Sequence, residues 1–297
     1  PYTTLFRSNL GGDAKIDQNT FLLEPVSAEN LVNNRNSRNF WCNVKGIGSW
    51  SLTGHSAEEL SKKFTEMQDD SEVTAGFMWQ KTTRESKKYQ LRGEILSFIP
   101  VDKNVEIMLV TITNTGRMAQ TVTPTAAIPL YGRSADNIRD HRHVTSLLHR
   151  IETTDTGVLV TPTLSFDERG HQVNHMTYYC VGWSGNGEKP VDFYPTAEDF
   201  VGEGGNFERP YAIVKNAEGV KAGTKIEGLE AVGGLHFSEI TLEPEEECSY
   251  LIFTGITEDI QEIRNLSKTY TTREKVLEEL EKTKAYWQEK VNVAYHT

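Results

Sequence analysis

The stretch YGRSADNIRDHRHVTSLLHR, residues 131–150, concentrates the reactive side chains of this chain. It holds Arg133, Arg139, Arg142 and Arg150 together with His141, His143 and His149. It lies between two segments rich in strand-forming residues, where a short polar turn would be ordinary. Long excursions on β scaffolds tend to carry function. His141 and His143 are two residues apart. On a strand both imidazoles would leave from one face, which could present them to a metal ion with Asp136 or Asp140 as further ligands. The same residues suit a second task, because arginine offers a fixed fork of donors. Arg139 and Arg142, with His141 and His143, would then donate to sugar hydroxyls or to an anion, the reading we prefer. A network of structural ion pairs is the third.

Other dense segments point away from catalysis. Asp167 and Glu168 in PTLSFDERGHQ are adjacent, so on a strand they face opposite ways. That is a poor arrangement for paired glycosidic carboxylates. They read as a charged turn ending at Gly170. Gly202, Gly204 and Gly205 bracket Glu203 in residues 194–210 without the spacing of a dinucleotide loop. They read as points where backbone approaches another surface or a ligand. Trp41, Trp50, Trp79, Trp183, Tyr131 and Tyr194 could stack on sugars, but core is the default for such residues. No G-x-S-x-G, H-E-x-x-H or P-loop occurs. No catalytic residue and no metal site is assigned on this basis.

The elements that must position these residues are mostly strands. NVEIMLVTITNTG alternates Val105, Ile107 and Leu109 before a turn at 114–116. QTVTPTAAIPLYG, VTSLLHRIE, GVLVTPTLSF, MTYYCVGWSG, GLHFSEITL and CSYLIFTGI have the same character, with turn residues between them. So many strands imply a sandwich or barrel. Two helices interrupt the pattern. Ser56 and Glu59 read as a capping box ahead of Leu60, Phe64 and Met67 on one face. Thr271 and Glu274 read as the cap of a longer helix carrying Val276, Leu280, Trp287 and Val291.

Bulk composition narrows the function. The 297 residues carry a net charge of -11, which argues against a nucleic-acid surface. No apolar run approaches the ~18 residues of a membrane span. Cys42, Cys180 and Cys248 are far apart and odd in number. They read as reduced thiols of a cytoplasmic protein.

Taken together, VTITNTGRMAQTVTPTAAIPLYGRSADNIRDHRHVTSLLHRI, TPTLSFDERGH, FYPTAEDFVGEGG and LEPEEECSYLIFTGI resemble the N-terminal domain of the family 94 inverting glycoside phosphorylases. The stretch SAENLVNNRNSRNFWCNVKGIGSWSLTG resembles the 1,2-β-oligoglucan phosphorylase branch. The resemblance implies a large antiparallel β supersandwich of galactose-mutarotase type, mainly β, over 9–269. It implies a linker helix over 270–297, leading to an (α/α)6 catalytic domain not contained in these residues. The general acid, an Asp, would lie there, and this chain alone would be inactive. The parent enzyme would act on β-gluco-oligosaccharide with inorganic phosphate as co-substrate and no cofactor, as a homodimer. Matching DHRHVTS to the family pattern places Arg142 at an acceptor-side sugar contact, with Arg139, His141 and His143 beside it. The histidines depart from the cellobiose branch. The alternative is a free-standing carbohydrate-binding β-sandwich.

The opening octapeptide PYTTLFRS matches the translation of a sequencing-library adapter. Residues 1–8 are therefore expected to be an artefact that packs poorly, fused to a sandwich cut at its N-terminus.

Overall fold

The computed structural model describes residues 7–8, 14–15, 20–21, 38–134, 142–167 and 170–291. Two large antiparallel sheets dominate them. The larger has nine strands, in the order Lys225–Glu227, Arg150–Thr153, Gly157–Val160, Thr177–Ser184, Glu247–Thr257, Val105–Asn114, Leu91–Phe98, Trp79–Ser86 and Asp70–Gly76. The smaller runs Asp192–Thr196, Ala231–His236, Gln120–Leu130, Asn39–Val44 and Gly48–Ser51, with Ile240–Leu242 also paired to Gln120–Leu130. The expected sandwich is what forms.

The alternation read at Val105, Ile107 and Leu109 is real, but both faces of that strand are buried. Met108, Val110 and Ile112 point into the layer between the sheets, against Phe40, Val122 and Leu235. Val105, Ile107 and Leu109 point outward, where Ile263, Leu266, Val276 and Leu280 cover them. Those four residues come from the helices Ile260–Thr269 and Arg273–Lys290. A third cluster joins Trp41, Tyr194 and Val232 of the smaller sheet to Phe200, Ala212 and Ile213 on short helices. The order of layers is therefore helix, sheet, sheet, helix. Trp41, Trp50, Trp183, Tyr131 and Tyr194 are all buried, as the default reading holds, and only Trp79 of that set is half-exposed.

Two prolines sit inside the central strand Gln120–Leu130, where a missing N–H is normally costly. Each falls at a gap in the pairing. Pro124 lies between the stretch bonded to Ile240–Leu242 and the stretch bonded to Ala231–His236. Pro129 lies past Ala127, where pairing with Asn39–Val44 ends.

Several local expectations are corrected. VTSLLHRIE is not one strand: Arg142–Leu147 is a helix and only Arg150–Thr153 is a strand. Ser56 does cap Ala57–Lys62, accepting from the Glu59 N–H at 3.2 Å. Glu59 does not complete the box. Its carboxylate lies 3.0 Å from Lys62 and 3.6 Å from Arg84. The helix stops at Lys62, and Phe64 has φ 66 and is 90% exposed, so Leu60, Phe64 and Met67 form no buried stripe. The cap of the last helix is Thr272, one residue after the expected Thr271. Val276 and Leu280 are buried as expected, while Val291 is exposed.

At the front of the chain, Arg7–Ser8 pairs with Ala14–Lys15, and residues 1–6 lie outside the described residues.

Candidate functional site

Residues 131–150 leave the smaller sheet at the end of Gln120–Leu130 and return in the larger sheet at Arg150–Thr153. His149 ties the two ends together. It is 2% exposed, with Nδ1 3.1 Å from the Leu229 carbonyl and Nε2 3.1 Å from the Tyr131 carbonyl. Burial pushes its pKa below the ordinary value, against the pull of those carbonyls. A neutral imidazole can donate to only one of them at a time. Gly132 packs on the same ring. It has φ +56, and a Cβ there would stand 3.1 Å from His149 Nε2. A side chain at 132 would meet both backbone strain and the ring.

The expected sugar-binding residues sit on or beside this anchored excursion. Arg139 and His141 lie outside the described residues. Arg142 and His143 are the first two residues of the helix Arg142–Leu147. The metal reading places His141 and His143 on a strand, but His143 lies in a helical turn. No cluster of three His, Cys, Asp or Glu able to hold a metal occurs among the described residues. On the way out, Arg133 and Ser134 pair with Phe21 and Thr20.

The other segments behave structurally. Leu164–Asp167 and Gly170–Val173 form a two-stranded hairpin, and Gly170 supplies a φ of +118 at its turn. Glu168 lies outside the described residues. Gly202 ends the helix Ala197–Val201 with φ 73, and a Cβ there would meet Tyr211 at 2.6 Å. The close approach expected of these glycines is thus made within the fold at Gly202 and Gly205, while a Cβ at Gly204 would meet nothing within 4 Å. All three cysteines are free, and burial pushes each thiol up, Cys248 to about 12. They are poor nucleophiles.

One arrangement was missed in the sequence. His236 Nδ1 lies 2.7 Å from Asp192 Oδ1, both buried, with Lys221 3.8 Å from the same carboxylate. The Tyr194 ring lies 5.6 Å from the imidazole. A histidine oriented by a carboxylate resembles a general base. The separation of 44 positions hides it in the sequence, since only strand register sets Asp192 opposite His236. Neither of the two cavities described next is lined by it, so we assign it to holding the sheet edge. A second buried pair joins Arg38 to Glu106 between the sheets.

A cavity of about 330 Å³ opens at one end of the sandwich, lined by residues that include Ser184, Glu188, Phe237, Ser238, Cys248 and Tyr250. Hydroxyls, a carboxylate and aromatic rings are the groups that bind sugar hydroxyls and ring faces. A shallower groove of about 550 Å³ lies where Phe77, Trp79 and Phe98 meet Trp287 and Val291. It is chiefly apolar. The Lys284 ammonium sits 4.7 Å above the Trp79 ring there.

Two antiparallel sheets face to face, with helices over both outer faces, define a β supersandwich. The chain belongs to the glycosyl hydrolase 94 family: residues 20–273 match the family's supersandwich domain. No curated protein matches it. Among solved structures it is similar to a polysaccharide lyase at 12% identity and TM-score 0.44, covering 88% of this chain and 33% of that one. It is also similar to a bacterial glucoamylase complexed with acarbose at 9% identity and TM-score 0.47, covering 92% and 34%. A protein assigned as an aldose 1-epimerase from Escherichia coli K12 matches at 9% identity and TM-score 0.37, covering 84% and 93%. The chain spans about a third of the lyase and the glucoamylase. No helix among the described residues is long and apolar enough to cross a membrane.

Proposed function

We propose that this chain is the sandwich portion of an inverting glycoside phosphorylase acting on β-gluco-oligosaccharides in the cytoplasm. The observation that carries the reading is the family match over 20–273. In that reaction a phosphate oxygen bonds to the anomeric carbon as the glycosidic bond breaks. A carboxylic acid protonates the departing sugar oxygen. The acid would belong to a following helical domain. This chain would supply the acceptor side. Arg142 would donate to an acceptor hydroxyl, with Arg139, His141 and His143 beside it. The clamp at His149 supports that role, because it fixes where the excursion leaves and re-enters the sandwich. The sandwich would also support a homodimer, as in the family.

Kinetics of the full-length parent test this. Arg142→Ala is expected to weaken phosphorolysis or acceptor use strongly, and unchanged steady-state constants would sink the role. The reading frame beyond Thr297 is a second test. A helical barrel with an acidic residue in a sugar pocket is the expected continuation.

A free-standing carbohydrate-binding sandwich is the second reading, favoured by the cavity at Ser184 and Tyr250. It expects an immediate stop codon and measurable oligosaccharide binding by this chain. In either case the net charge of -11 disfavours nucleic acid as a partner.

A further inference from the structure

Three turns build the cavity at the Ser184 end of the sandwich. One joins Thr177–Ser184 to Asp192–Thr196, one joins Ala231–His236 to Ile240–Leu242, and one precedes Glu247–Thr257. Strand register sets it far from the 131–150 excursion. Ser184 pairs with Tyr250, and Thr177 with Thr257 at the other end of the same strands. Near that other end Val160 pairs with Tyr178 and also with Ile151, where the excursion returns. The cavity and the excursion thus lie at opposite ends of the sandwich.

Backbone bonds fix the cavity walls. The Gly185 N–H donates to the Ser249 carbonyl at 2.7 Å, and the Ser184 N–H to the Glu188 carbonyl at 2.8 Å. The Glu188 N–H donates in turn to the Ser184 hydroxyl at 3.0 Å. The buried Phe237 and Tyr250 rings pack with centroids 4.7 Å apart. Gly185 leaves room where a side chain would close it, since a Cβ there would stand 2.1 Å from Ser249 Oγ. The volume of about 330 Å³ lies at the low end of the ~300–1,000 Å³ usual for small-molecule sites.

The lining groups that stay open select the ligand. Lys189, the only cation among the described lining residues, is paired with Asp155, so an anion finds no free partner. Three of the four lining carboxylates are engaged as well. Glu239 pairs with Lys45 at 3.2 Å and Glu247 with Arg273 at 2.7 Å. Glu246 accepts from the Glu243 N–H at 2.8 Å. The Glu188 carboxylate has no partner among the described residues, and neither do the side chains of Asn186, Ser238 and Ser249. One carboxylate can accept from two neighbouring hydroxyls, while an amide and a hydroxyl each donate and accept. That set suits a neutral polyhydroxylated ligand. A phosphate would be repelled by Glu188, and a polyamine would find one open carboxylate for its several charges.

We infer that this cavity is a saccharide site, taking one sugar unit by its vicinal hydroxyls with Glu188 as the main acceptor. The inference extends the carbohydrate-binding reading by naming that residue. It goes beyond the catalytic reading, because the cavity lies at the end away from Arg142, and it does not depend on which of the two holds.

Calorimetric titration of the whole chain with glucose, galactose and cellobiose tests it, with inorganic phosphate and putrescine as anion and cation controls. At least one of the saccharides is expected to bind, one per chain, and neither control is expected to compete. Glu188→Gln keeps the size of the side chain and breaks no side-chain contact of the fold, so the melting temperature should stay native. It replaces an acceptor-only carboxylate by an amide and is expected to weaken binding about tenfold or more. The amide resonances of Gly185, Gly187 and Ser249 should shift on titration, while that of Ile151 stays in place. Binding of none of the three saccharides overturns the inference, as does phosphate or putrescine taking the saccharide's place. Saccharide binding that Glu188→Gln leaves intact and Arg142→Ala abolishes overturns it too, and puts the sugar at the excursion. These outcomes bear on the cavity alone, whereas the role of Arg142 in the parent rests on the kinetics above.

Discussion

Val105–Asn114 and Asp70–Gly76 belong to the same sheet, three strands apart, yet every residue of the first is buried and every residue of the second exposed. The first lies under helices on one face and under the other sheet on the opposite face. The second extends past both covers. Pairing alone therefore does not set what a strand contributes. At the centre, stability comes from apolar contacts on two faces. At the edge it comes from one row of backbone bonds to Trp79–Ser86.

Substitutions should separate the two regions by size of effect. The largest loss is expected at the buried ion pair. Arg38→Met strands the Glu106 carboxylate between the sheets and should cost about 3–5 kcal/mol in urea denaturation. The double variant Arg38→Met/Glu106→Leu should recover most of that, since removing both charges also removes the desolvation cost. Next comes Leu251→Ala, in the layer under the C-terminal helices, at about 2–5 kcal/mol. His149→Ala should cost about 1–3 kcal/mol, because a buried carbonyl loses its donor.

His149 also gives a pH dependence. Its pKa is lowered in the fold, so the unfolded chain binds the proton more readily. Its contribution is full above the unfolded value of ~6.5 and is lost as the pH falls from there through the lowered value. His149→Gln should flatten that part of the stability curve, measured by denaturation between neutral and mildly acidic pH. The smallest effects belong to the exposed positions. Phe64→Ala and Val73→Thr should each stay within about 0.5 kcal/mol of the parent. A loss of 2 kcal/mol or more at either would break the comparison.

Much of the sandwich was legible, because side chains on a strand alternate with period two and Val105, Ile107 and Leu109 show it directly. Burial on both faces was visible only as the apolar character of Met108, Val110 and Ile112 between them. What escaped depends on distant partners. Val144 and Thr145 are strand formers by local preference. They sit in a helical turn that lets His149 reach carbonyls at Tyr131 and Leu229. Phe64 and Met67 have helical spacing after Leu60, but the positive φ at Phe64 ends the pattern and no surface covers it. At the last helix Thr271 and Thr272 are neighbours of one type, and only geometry separates cap from flank. Of the candidate site, the excursion at 131–150 was legible as a composition, whereas its anchor His149 looked like one histidine among three.

The turn between the two C-terminal helices carries one more consequence. The Trp183 indole N–H donates to the Tyr270 carbonyl at 3.0 Å. Phe253 lies stacked between the Trp183 and Tyr270 rings, with centroids 4.7 and 5.6 Å away. The start of the last helix is thereby riveted to the middle of the larger sheet. In mechanical terms Arg273–Lys290 is a lever with its fulcrum in the core. Torque applied at its far end is passed to the sheet through three aromatic rings, and the turn itself has little slack to absorb it.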